Sequence, residues 1–141
     1  SATAYAFKGS FIGFRIGLSK FKAISLGPES NRYISKACEL DPRNIQGIVD
    51  KANALYHTPK LFGGDKAEAL LLFQNGIKLM EYSKTTDQNW FYLNVMTLAA
   101  QAHVSLGEFA KAKSLYEKII RFEPNFKWVK NNLYPDLLKK M

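Results

Sequence analysis

At 141 residues, with 47% hydrophobic and 23% charged residues, the chain has the composition of one globular domain with its own core, which excludes a disordered or fibrous segment. A net charge of +8 invites an anionic partner, but the basic residues are dispersed with no run of four, which reads as a solvated basic surface and not as specific nucleic-acid recognition. The single cysteine excludes an internal disulfide, and no apolar run is long enough for a membrane span.

Residues 1–26 open with a helical segment carrying Tyr5, Phe7, Phe11, Phe14 and Phe21. Gly9, Gly13 and Gly17 recur every four residues and share one stripe, which predicts a close helix–helix approach, while Arg15 argues against a membrane pairing motif. Gly27-Pro28 predicts a break, with Pro28 in the first turn of a helix over Glu29 to Leu40. Cys38 lies on that helix and reads as a small packed residue, not a reactive thiol. A third helix is expected from Asn44 to His57, with Ile45, Ile48, Ala52 and Leu55 as its apolar stripe. The turn TPKLFGGD follows. Gly63-Gly64 supply permissive backbone, and Asp65 with Glu68 form a capping arrangement. These glycines lack the G-K-[ST] ending of a phosphate loop.

The fourth helix is expected from Lys66 to about Met80, and EYSKTTDQN is a polar linker in which Thr86 or Asp87 caps helix five. Helix five covers Gln88 to Leu106, and helix six covers Glu108 to Phe122, stopped by Pro124. Tyr82, Trp90, Phe91 and Tyr92 around the linker are expected to be core. Phe126 to Lys139 predicts a last amphipathic helix, kinked or split at Pro135 after Leu133-Tyr134. It should cap the third pair, with Trp128 or Val129 against Ala112, Tyr116 or Ile119.

The stretch LGEFAKAKSLYEKIIRFEP carries a resemblance. Ala112 and Tyr116 stand 12 and 8 residues before Pro124, similar to the second half of a tetratricopeptide repeat. Ser30 and Ile34 stand at the same distances before Pro42, with Ala37 and Leu40 completing the face, although Ser30 replaces a small apolar residue. Ala69, Phe73, Gly76 and Leu79 match again, without the proline at position 81. Ser30 to Ala69 spans 39 residues and Ala69 to Ala112 spans 43, both longer than the period of about 34, and the excess falls in TPKLFGGD and EYSKTTDQN. The first helices match less well. Ile48 and Met96 stand where the family has an aromatic, and Lys51 replaces its leucine. The block Pro59…Gly63-Gly64-Asp65…Ala69…Phe73 also resembles the T component of tripartite solute transporters and related bacterial extracytoplasmic repeat proteins.

The resemblance implies one all-α domain over 1–141, a solenoid of helix pairs at 1–42, 43–81 and 86–124 with a terminal helix at 125–141. It implies a non-enzymatic protein-interaction or assembly scaffold that binds a protein or peptide on its concave face. The alternative is a small-molecule-binding accessory component of an extracytoplasmic transport system. The first helix of each pair would line the face, giving Gln46, Val49, Asn53, Asn94, Thr97 and Gln101. Four of these six are amides, which both donate to and accept from a peptide backbone. No catalytic residue, metal ligand or cofactor is expected. His57 and His103 have no ligand partners at metal spacing, and His103 takes the family's tyrosine position as a packed residue. The start SATAYAF lacks Met, as in a mature or trimmed form, and a periplasmic or extracytoplasmic setting is favoured over a cytoplasmic one.

Overall fold

The computed structural model describes residues 1–17, 23–84 and 90–141, with backbone only for 14–17 and 23–26. Among these residues there are seven α-helices and no strand: α1 Ala2–Gly17, α2 Ala23–Leu40, α3 Ile45–His57, α4 Lys66–Tyr82, α5 Trp90–Ser105, α6 Phe109–Phe122 and α7 Tyr134–Lys140. Each helix up to α6 packs on the next in sequence, α1 also reaches α3, and α7 lies on α6. Hydrogen bonds fix the directions. The Asp65 amide donates to the Leu55 carbonyl, and the Tyr92 hydroxyl to Glu81, so α3–α4 and α4–α5 turn back on themselves. The side-chain amide of Asn44 donates to the Thr3 hydroxyl and Tyr56 pairs with Ser105, so α1, α3 and α5 run the same way.

The α1–α2 contact explains the spacing of small residues. A Cβ on Gly9 would sit 2.6 Å from Ile34 Cγ1, and one on Gly13 would lie 3.5 Å from Ser30 Oγ. The close approach requires glycine at Gly9, whereas a methyl group at Gly13 would make only an ordinary contact. Ser30 is buried there, and its hydroxyl donates to the Gly9 carbonyl at 2.6 Å. That bond accounts for a polar residue where the repeat pattern has an apolar one. The environment of Gly17, and the residues Phe14 and Phe21, lie outside what is described.

Helix two departs from expectation. It runs unbroken through Gly27-Pro28, so Pro28 lies in its second turn, where the missing N–H forfeits one intrahelical bond. The turn between α3 and α4 is built as expected and in more detail. A 3₁₀ turn at Lys60–Phe62 ends on Gly63, whose φ is +91°. Gly63 and Gly64 donate back to Lys60 and Pro59, a paired closure of the kind that ends helices on a left-handed residue. Asp65 accepts from the amides of Ala67 and Glu68, capping α4. Only half of the capping box forms, because the Asp65 amide is engaged by Leu55 and Glu68 turns to Lys51. Helix α4 runs to Tyr82, past the expected end near Met80. The expected caps at Thr86 or Asp87 lie outside the described residues.

Between α5 and α6 the chain reverses on Gly107, φ +76°. Its amide donates to Val104 and that of Glu108 to His103, a Schellman closure. Past Pro124, the terminal segment stays helical over 127–140 and does not split at Pro135, which is accommodated by a change of helical register just before it. Residues Val129–Leu133 form a π-helical turn, with the Tyr134 amide bonded to the Val129 carbonyl, and α7 follows with Pro135 in its first turn.

The main apolar cluster joins α3 to α7 through Val49, Phe73, Met80, Val95, Met96, Ala112, Tyr116, Ile119, Val129 and Leu137. Each large member contributes about 1.5–3 kcal/mol by leaving water. The terminal segment joins this cluster through Val129 and Leu137, whereas Trp128 is 45% exposed and turns outward. The linker aromatics divide likewise: Tyr92 is buried, but Tyr82 and Trp90 are 84% and 63% exposed, against the expectation of core. Both sit at helix ends, where only one side of the ring can reach the interior.

Candidate functional site

An open cleft of about 260 Å³ lies across α3, α5 and the terminal segment. Tyr56 enters from α3, and Gln101, Val104 and Ser105 enter from α5. Leu133, Asp136, Leu137 and Lys140 close the far side, and the buried ring of Tyr116 on α6 forms the floor. The Tyr56 hydroxyl lies 3.1 Å from Ser105 Oγ, its ring meets Phe73 edge to face, and the Lys66 ammonium sits 5.3 Å from its centroid. Those three contacts hold Tyr56 in place as one wall. Burial pushes the Tyr116 hydroxyl up to about 12, so it stays protonated. The cleft therefore offers aromatic surface, a side-chain amide, hydroxyls and one charge of each sign.

Of the residues expected on the binding face, Gln101 alone lines this cleft. Gln46 is half-buried and donates to Asp50 Oδ1 at 3.0 Å. Asn53 is half-buried one turn before Tyr56 on α3, and Asn94 is exposed near the start of α5. Val49 and Thr97 are buried instead of presented: Val49 packs in the main cluster, and the Thr97 hydroxyl donates to the Leu93 carbonyl at 2.8 Å. The first-helix face is thus split. Residues three or four positions further along α3 and α5, Tyr56 and Ser105, carry the surface, and an extension of the same spacing from Asn53 and Gln101 reaches them. Asp136 and Lys140 had no comparable signal, because the π-helical turn resets the register of the last helix.

A second cleft of about 230 Å³ lies between α2, α3 and the 3₁₀ turn, lined by Ile34, Lys51, Leu55, Thr58 and Phe62 among others. The glycine pair beside it is structural. A Cβ on Gly64 would fall 1.7 Å from the Thr58 carbonyl oxygen. His103 is buried, and its Nδ1 lies 2.5 Å from Glu108 Oε2. This contact ties the α5–α6 reversal and gives His103 a carboxylate partner five residues on. Among the described residues no group of three His, Cys, Asp or Glu side chains could hold a metal ion. Cys38 is half-buried, and desolvation pushes its thiol up. No helix is long and apolar enough to cross a membrane among the described residues. No protein-family model matches the chain, and no curated protein is similar to it.

Proposed function

We propose that the chain is a tetratricopeptide-like array of helical hairpins that works as a non-enzymatic protein-interaction or assembly module, with the cleft over α3, α5 and α7 as its peptide-binding face. The observation that carries this reading is the placement of that cleft. It spans alternate helices of the array, which in a hairpin solenoid share one face. Its lining mixes Tyr56, Gln101 and Ser105 with apolar floor residues, as an extended peptide requires. Both clefts are open and smaller than the roughly 300–1,000 Å³ of small-molecule pockets, which favours a polypeptide over a transported solute.

Site-specific photo-crosslinking tests this reading. A photoreactive residue at Gln101, in the cleft, is compared with one at Asn75, exposed on α4 and away from it. The expected result is a discrete protein adduct from position 101 alone. Adducts from position 75 alone, or none from either, would reject the cleft as the binding face.

A further inference from the structure

Both tryptophans of the chain lie at one end of the array, away from the cleft, and both are exposed: Trp90 by 63% and Trp128 by 45%. Phe126 stands between them, 5.8 Å from the Trp90 ring and 6.4 Å from Trp128, each pair close to perpendicular. Phe122, at the end of α6, is also partly exposed and meets Tyr92 edge to face. Leaving two indoles in water forgoes burial free energy that the core could have used. Around them Arg121, Lys127 and Lys130 are exposed, and no ion pair neutralises them among the described residues. Of the nearby acids, Glu81 pairs with Lys118 and accepts from Tyr92, and Glu123, which accepts from the Asn125 amide, offsets one of the three basic charges. The patch therefore combines apolar rings with net positive charge and stands at helix ends, not in a groove.

We propose that this end of the molecule docks on an anionic lipid bilayer, with Trp90 and Trp128 in the headgroup region and Arg121, Lys127 and Lys130 against lipid phosphates. Two features favour a bilayer over a protein or a nucleic-acid strand. Lysine is depleted in protein interfaces, whereas tryptophan with lysine is the pairing that anchors proteins at membrane surfaces. The perpendicular packing of the three rings also leaves no run of parallel faces for successive bases to stack on. Binding of this kind is peripheral and needs no spanning helix.

Tryptophan emission reports directly on the patch, because no other tryptophan exists. The full chain is titrated with vesicles of phosphatidylcholine alone and of phosphatidylcholine with phosphatidylglycerol, and bound protein is measured by co-sedimentation. A blue shift and sedimentation with the anionic vesicles only are expected. Lys127→Gln with Lys130→Gln should lower partitioning about thirtyfold, from about fivefold per lysine near the surface. The charge-matched pair Lys60→Gln with Lys111→Gln, at the other end, should change it less than about threefold. Trp128→Ser should weaken binding while Trp90 still reports it. Absence of a shift at low salt, or equal losses from the two lysine pairs, would overturn the proposal. So would a response to oligothymidylate at lower concentrations than to vesicles, which would make the patch a strand-stacking surface. Circular dichroism of each variant confirms that an altered result comes from the surface and not from unfolding.

Discussion

Gly63 and Gly64 are adjacent, yet glycine is needed for different reasons at the two positions. At Gly63 the backbone is left-handed and the space around it is open, so Gly63→Ala should cost about 1–2 kcal/mol, the price of that conformation. At Gly64 a methyl group would overlap the Thr58 carbonyl, and only movement of the α3–α4 turn could relieve it. Gly64→Ala should therefore cost more than about 3 kcal/mol in urea denaturation, with the Asp65 cap lost as well. Equal effects at the two sites would mean that the turn is looser than described. Asp50 sets a second test. It is only 6% exposed, its Oδ1 accepts from Gln46, and its Oδ2 has no hydrogen-bond partner. Burial raises its pKa, with Gln46 and Ser10 pulling the other way. The native state therefore holds this proton more tightly than the unfolded chain, and Asp50 favours folding as pH falls through its folded value and opposes folding above it. Asp50→Asn should be more stable than the parent at neutral pH, and the gap should close as the pH is lowered. A gap that widened on acidification would show that the carboxylate is stabilised in the fold.

Among the elements, the terminal segment was the most legible in the sequence and still carried a surprise. Pro135 marked the irregularity, which is a π-helical turn and not a break, and the amphipathic spacing of apolar residues announced the contact with α6. Which of Trp128 and Val129 turned inward was not legible, because a π-helical turn shifts the register by a residue and no spacing rule anticipates it. The outcome is testable: Leu137→Ala should cost about 2–5 kcal/mol, as a buried leucine does, whereas Trp128→Ala should cost under about 1 kcal/mol despite its size. Thermal melts of both variants check this, and the reverse order would put Trp128 back in the core. The break expected at Gly27-Pro28 failed for a related reason. Proline forbids only its own N–H bond and the carbonyl contact one turn back, so α2 continues through Pro28 at the loss of a single intrahelical bond. The helices α3, α4 and α6 were readable within two residues because an Asn or Asp cap, a glycine or a proline marks an end of each.

At the scale of the whole molecule, consecutive packing means that each helix leans on its neighbours and the last one covers an apolar face. Deleting residues 126–141 would expose Ala112, Tyr116 and Ile119 on α6. The truncated chain should aggregate or melt at least about 10 °C lower, as expected for losing a few kcal/mol from a domain of this size. An equally stable, monomeric truncation would make the segment a free arm. The candidate site was less legible than the fold. Amide spacing along α3 and α5 pointed to two of the helices that line the cleft, but two of the six positions, Val49 and Thr97, rotate into the core. The cleft forms only when α7, distant in sequence, closes it. The measurement that bears most directly on the proposed role uses the partner captured through position 101. Its affinity is measured by calorimetry for the parent chain, for Ser105→Trp, which fills the cleft mouth from an exposed position, and for Asn75→Trp on α4. A loss of at least about tenfold, or 1.4 kcal/mol, from Ser105→Trp with Asn75→Trp unchanged is the predicted result. Undiminished binding by Ser105→Trp would contradict the assignment of the cleft as the binding face.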